Sequence, residues 1–115
     1  MRLLICGDRN WTDEDLIRRK IIEFAPTVVI EGEARGADSI AAKVARELGI
    51  AVEGYPAKWE LYGRGAGPIR NLEMLAKGKP DRVLAFHDNI TESKGTKHMV
   101  ALARKVGKPV TVVGH

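Results

Sequence analysis

The chain has one cysteine, Cys6, so it cannot close a disulfide within itself. It has no apolar run approaching the roughly 20 residues that a membrane-spanning helix needs. No charged-then-apolar leader opens it, and a cytoplasmic location with no membrane partner is the expectation. Aromatic residues make up only 5% of it, which leaves stacking platforms for single-stranded nucleic acid in short supply. No block of like charge occurs, which excludes a basic tail. The phosphate-loop pattern is missing, and so is the dinucleotide G-x-G-x-x-G fingerprint. No set of His, Cys, Asp or Glu has metal-ligand spacing. His87 and Asp88 are adjacent, but neighbours on a strand face opposite ways and cannot easily share an ion. Neither a metal nor a cofactor is expected.

The chain does contain a core. Of 115 residues, 44% are hydrophobic and 30% charged, the composition of one globular domain spanning residues 1–115. The net charge of +4 is mild. It favours anionic partners or serves solubility alone.

Five short apolar runs read as buried strands: residues 2–6, 27–31, 50–54, 82–87 and 110–113. They are continuous rather than alternating, as in a sheet covered on both faces. Cys6, between Ile5 and Gly7, reads as a small core thiol. Four helical runs separate the strands. The first opens at Thr12, with Asp15 three residues on as a capping box, and carries Ile17, Ile21 and Phe24. The second carries Ile40, Ala41, Val44, Ala45 and Leu48 and stops at Gly49. The third starts at Pro68 and carries Leu72, Leu75 and Ala76. The fourth carries Met99, Leu102, Ala103 and Val106, then stops at Gly107 and Pro109. This alternation predicts an α/β, Rossmann-like three-layer sandwich with a five-stranded, mainly parallel sheet.

In such sheets a ligand sits beyond the carboxyl ends of the strands, at the switch point. The loops that matter are then Gly7–Trp11, Gly32–Asp38, Tyr55–Asn71 and Asp88–Thr96. A helix start carries partial positive charge and disfavours bases by about 0.3–1 kcal/mol each. The first helix obeys this, with Asp13, Glu14 and Asp15. The others do not: Arg35 precedes the second, Arg70 lies at the head of the third, and Lys94 and Lys97 bracket the fourth. One anion seated among the three ends explains the pattern, with Gly36, Gly65, Gly67 and Gly95 allowing close approach. Solvated cations are the plainer explanation. Asp38 either caps the second helix or accepts from a sugar hydroxyl. Asp8, Arg9 and Asp88 have the same two readings. Trp11 and Trp59 either stack on a base or cover the end of the core.

Four segments carry a family likeness: CGDRNWTD (6–13), IEGEARGADSIAAKVA (30–45), YPAKWELYGRGAGPIRNLEM (55–74) and FHDNITESKGTKHM (86–99). On these the chain resembles the SLOG superfamily, which includes the LOG-type phosphoribohydrolases and the DNA-processing protein DprA. Within it, the chain looks most like the YspA-like, cpYpsA-related proteins. The resemblance implies a Rossmann-like fold and a crevice for a nucleotide derivative such as an ADP-ribose-like molecule. It implies contacts from Gly7 and Arg9, from Gly32, Arg35, Gly36 and Asp38, from Gly67, Arg70 and Asn71, and from Gly95 and Thr96. It also implies a homo-oligomer, a dimer or larger.

The hydrolases of that superfamily carry PGGxGTxxE. The matching stretch here is TESKGTKHM, which keeps Gly95 and Thr96 but has Met99 in place of the catalytic acid. A thioether can neither move a proton nor stabilise an oxocarbenium-like centre. The expectation is therefore binding of a phosphorylated nucleoside or nucleotide derivative, for sensing or sequestering. The alternative is a hydrolase of an N-glycosidic or phosphate bond, with Asp38 or Asp88 as the acid. A second alternative is binding of single-stranded DNA, as DprA does. A third is a scaffold with a degenerate crevice.

Overall fold

A computed structural model describes residues 1–115. Five strands form one sheet: β1 (Arg2–Gly7), β2 (Val28–Glu31), β3 (Ala51–Gly54), β4 (Arg82–Phe86) and β5 (Val110–Val113). The order across the sheet is β3-β2-β1-β4-β5, and every pairing is parallel. The registers Leu4↔Ile30 and Leu4↔Val83 put β1 at the centre. Strand bounds fall within one residue of those expected from the apolar runs.

Because side chains on a strand alternate, β1 feeds two cores at once. Leu3 and Ile5 point to one face. There they join Ile17 and Ile21 of α1 (Glu14–Phe24) and Ala41, Val44 and Ala45 of α2 (Ala37–Glu47). Leu4 and Cys6 point to the other face. They meet Met74 of α4 (Ala66–Ala76) and Met99, Val100 and Ala103 of α5 (Gly95–Lys105). Burying each large aliphatic side chain is worth about 1.5–3 kcal/mol. The result is the helix–sheet–helix sandwich that the alternation predicted. No helix is long and apolar enough to cross a membrane.

The helix starts depart from expectation. Asp13, not Thr12, caps α1, because its carboxylate accepts from Leu16 N–H at 3.1 Å. An additional short helix, α3 (Trp59–Tyr62), precedes a 3-10 turn at Gly63–Gly65. The third helical run therefore starts at Ala66 rather than Pro68. Pro68 still lies in the first turn of α4, where its missing N–H breaks no helix bond. Four residues placed on the apolar stripes are instead exposed: Leu48, Leu72, Ala76 and Val106.

Candidate functional site

The chain leaves β1 toward α1 on one face and leaves β4 toward α5 on the other. The adjacent carboxyl ends of β1 and β4 therefore open a crevice. Its first wall is made by the loops after β1 and β2. The Asp8 carbonyl accepts from Trp11 N–H and from Ala37 N–H, both at 3.1 Å, so it occupies the first free amide of α2. Gly36 has φ +78°, and a Cβ there would overlap the Asp8 carbonyl oxygen. Only glycine fits this crossing. Asp8 Oδ1 closes its own loop by accepting from Asn10 N–H at 2.9 Å. Arg9 and Arg35 project from this wall as exposed side chains.

Arg70 joins the second wall to the first. Its Nη1 donates to the Gly32 carbonyl and its Nε to Asn71 Oδ1, at 2.6 and 3.0 Å. Asn71, 4% exposed, extends the chain of bonds. Its amide nitrogen lies 3.0 Å from His98 Nδ1 and 3.4 Å from the Gly95 carbonyl. One guanidinium and one amide thus tie the loop after β2 to α4 and α5. Arg70 is the fifth residue of α4, beyond the first turn. Its charge is therefore no anomaly of a helix start; it clamps the backbone.

Two carboxylates are buried in this region. Asp38 accepts from Gly32 N–H at 2.9 Å and from Ala34 N–H at 3.4 Å. Asp38 therefore holds the loop before α2 and leaves the cap position to Gly36. Burial pushes its carboxyl up, against the pull of the Arg70 charge and the two amides. Glu31, at the end of β2, is 2% exposed and accepts from Glu33 N–H at 2.9 Å. Burial, reinforced by the Asp38 charge, raises it to about 7. Glu31 was not among the residues singled out from the sequence. The signal was an acid closing the apolar run TVVIE immediately before the crevice. Ser93 was also missed: its hydroxyl accepts from Thr96 N–H at 3.0 Å and caps α5.

The remaining candidates separate clearly. Gly7, Gly32, Gly36, Asp38, Gly67, Arg70, Asn71, Gly95 and Thr96 belong to the linked framework or border it. Lys94 and Lys97 are exposed at the head of α5. Trp11 is not an open platform. It is 5% exposed, meets Phe86 edge-on at 5.6 Å and carries the His115 ring stacked on it at 4.7 Å. Its Nε1–H donates to the Asp13 carbonyl at 3.0 Å. Trp59 is the open one, 58% exposed, with its ring against Gly67. Asp88 is engaged elsewhere: it accepts from the His115 backbone N–H at 2.7 Å and lies 2.9 Å from His115 Nδ1. Those bonds hold its carboxyl below the usual range. Met99 is buried in the core between the sheet and α5. Cys6 lies in the same core, and burial pushes its thiol up, which makes it unreactive.

Comparison with known proteins gives two matches. Residues 1–62 match the family described as YspA, cpYpsA-related SLOG family. The chain is also similar to the Gene 61 protein of Mycobacterium phage D29, at 39% identity over 123 aligned positions. That alignment covers 98% of this chain and 96% of the phage protein.

Proposed function

The chain belongs to the YspA, cpYpsA-related SLOG family, and from that premise we propose that its crevice binds a phosphorylated nucleoside or nucleotide derivative of the ADP-ribose kind. The observation that carries this reading is electrostatic. Arg9 lies on the loop after β1, Arg35 on the loop before α2, and Lys94 and Lys97 at the head of α5, and none has a carboxylate within 4.0 Å. Exposed bases at helix starts are stabilised by a bound anion. In this reading the phosphates lie against Arg35, Lys94 and the free Nη2 of Arg70. Asp8 Oδ2, which has no hydrogen bond within the chain, accepts from a ribose hydroxyl. Trp59 stacks on the base.

The test is mass spectrometry of small molecules released when the purified protein is denatured. It is paired with melting in AMP, ADP-ribose, NAD and cyclic nucleotides. A ligand at 100-fold its Kd stabilises by about 2.7 kcal/mol. The double variant Arg35→Ala, Lys94→Ala loses most of that gain. No released molecule and no shift with any of these compounds overturns the reading.

One observation favours a second reading, hydrolysis of an N-glycosidic or phosphate bond. Glu31 exchanges its proton near neutral pH beside the buried Asp38, which suits a general acid. Asp88 is unsuited to that role, since its contacts with His115 favour the ionised form. Turnover followed by chromatography, lost in Glu31→Gln or Asp38→Asn but kept in Asp88→Asn, would select hydrolysis.

A further inference from the structure

Asn71 is held from both sides by groups with only one possible role. Arg70 Nε–H can only donate, so the atom facing it at 3.0 Å is the amide oxygen. The Gly95 carbonyl can only accept, so the atom facing it at 3.4 Å is the amide nitrogen. With the amide so oriented, its N–H₂ also faces His98 Nδ1 at 3.0 Å. A donor facing Nδ1 requires a bare ring nitrogen there. The proton of the neutral imidazole then sits on Nε2, at the opposite edge of the ring. His98 lines a shallow groove of about 600 Å³ along the head of α5, together with Lys94, Lys97, Ser93, Thr91 and the acidic Glu92.

We propose that His98 is a ligand-contacting residue. Its Nε2–H donates to an acceptor-only oxygen, a phosphoryl oxygen of the crevice ligand, and Asn71 is the positioning residue that fixes this tautomer. The inference rests on the nucleotide reading and adds to it a second anchoring point on α5. The order of bonds is directional: Arg70 donates to Asn71, Asn71 to His98, and His98 to the ligand. The same guanidinium that grips Gly32 therefore sets the polarity of a donor on the other side of the crevice. Lys94 and Lys97 supply charge beside that donor, and the Ser93 hydroxyl proton, not used in its cap bond, is available as a further donor.

The tautomer is read first, without ligand, from the imidazole nitrogen shifts of protein labelled with 15N-histidine. The His98 signals are those that vanish in His98→Gln. The expected pattern is bare Nδ1 and protonated Nε2 in the wild type. In Asn71→Asp the buried carboxylate can only accept, and the pattern reverses. Asn71→Ala leaves the two tautomers mixed and serves if the aspartate variant does not fold. A wild-type ring protonated on Nδ1 overturns the proposal.

The second readout is the Kd for ADP-ribose. The amide nitrogen of glutamine reaches the Nε2 position, and that of asparagine only the Nδ1 position. His98→Gln should therefore stay within about threefold of wild type, and His98→Asn should weaken binding about tenfold or more. Binding that is equal in wild type, His98→Gln and His98→Asn overturns this proposal and leaves the nucleotide reading standing. Absence of any nucleotide binding by the wild type overturns both.

Discussion

The outer face of α1 and α2 and the carboxyl end of the sheet handle charge in opposite ways. On the helix face, Arg18 meets Glu14 at 2.9 Å and Glu47 at 2.6 Å, and Lys43 meets Glu14 at 2.8 Å. Within this cluster each cation has an acid and each acid has a cation, while Arg19, Arg46 and Asp15 of the same helices make no ion pair. At the carboxyl end the signs are separated by depth. The acids Glu31 and Asp38 are buried and bonded to backbone amides, while Arg9, Arg35, Lys94 and Lys97 stand exposed without acids. A closed set of ion pairs on a surface has no electrostatic demand left. An unpaired basic rim over buried carboxylates attracts an anion while the acids hold the loops behind it. On the nucleotide-binding reading proposed above, the difference separates a region that serves the fold from one that is open to a ligand.

The comparison breaks most severely if the wall behind the rim gives way. Gly36→Ala forces a side chain into a positive φ and into the Asp8 carbonyl. It should cost about 2–4 kcal/mol in urea denaturation, the largest loss expected of any single change here. A loss below about 1 kcal/mol would mean the two loops are not pinned as described.

A smaller effect, and one of opposite sign, comes from Glu31. Its ordinary value is 4.5 and its folded value is about 7. Between these two, the folded chain keeps a proton that the unfolded chain has lost. Stability therefore falls as pH rises from about 4.5 to 7, and the penalty is complete above that window. Glu31→Gln should accordingly stabilise the protein at pH 8 by about 1–3 kcal/mol and leave it nearly unchanged at pH 4. Equal effects at both pH values would contradict the raised value.

The smallest stability effects give the sharpest contrast. Arg18→Ala should lower the melting temperature slightly, less so in high salt, and leave ligand affinity untouched. Arg35→Ala should leave melting of the free protein unchanged and weaken nucleotide binding. If the two variants behaved alike in both measurements, the distinction between the regions would fall.

Much of this was legible in the sequence, for definite reasons. Five continuous apolar runs specify a doubly covered parallel sheet, and strands of that kind are hard to mistake. α3 was not legible, because WELY buries none of its four residues and so leaves no periodic signal. Arg70 was recognised, but its place in the helix was misread: a start at Pro68 would put it in the first turn, whereas a start at Ala66 puts it in the second. Trp11 reads as a loop residue, and nothing local shows that Phe86 and His115 come from 75 and 104 positions away to cover its ring. Glu31 was overlooked because an acid after an apolar run looks like the strand's exit to solvent. Its burial comes from the loop that Asp38 ties down and from Glu33, which are contacts beyond the strand.

The central position of β1 also has a consequence for the order in which the molecule can assemble. β1 emerges first, and its β2 neighbour follows 26 residues later, as Leu4↔Ile30 shows. Its other neighbour, β4, arrives only after 79 residues, as Leu4↔Val83 shows. Through most of synthesis one edge of the innermost strand stays open, and Leu4, Cys6 and Ile30 wait for α4 and α5. Pairing over such long loops is slow, and bare strand edges invite association between chains. A fragment ending after β3 would carry the first helical layer intact and would still expose the second core to water. The strand around which the native sheet is built therefore keeps one edge unpaired until β4 emerges, and only β5 is added after it.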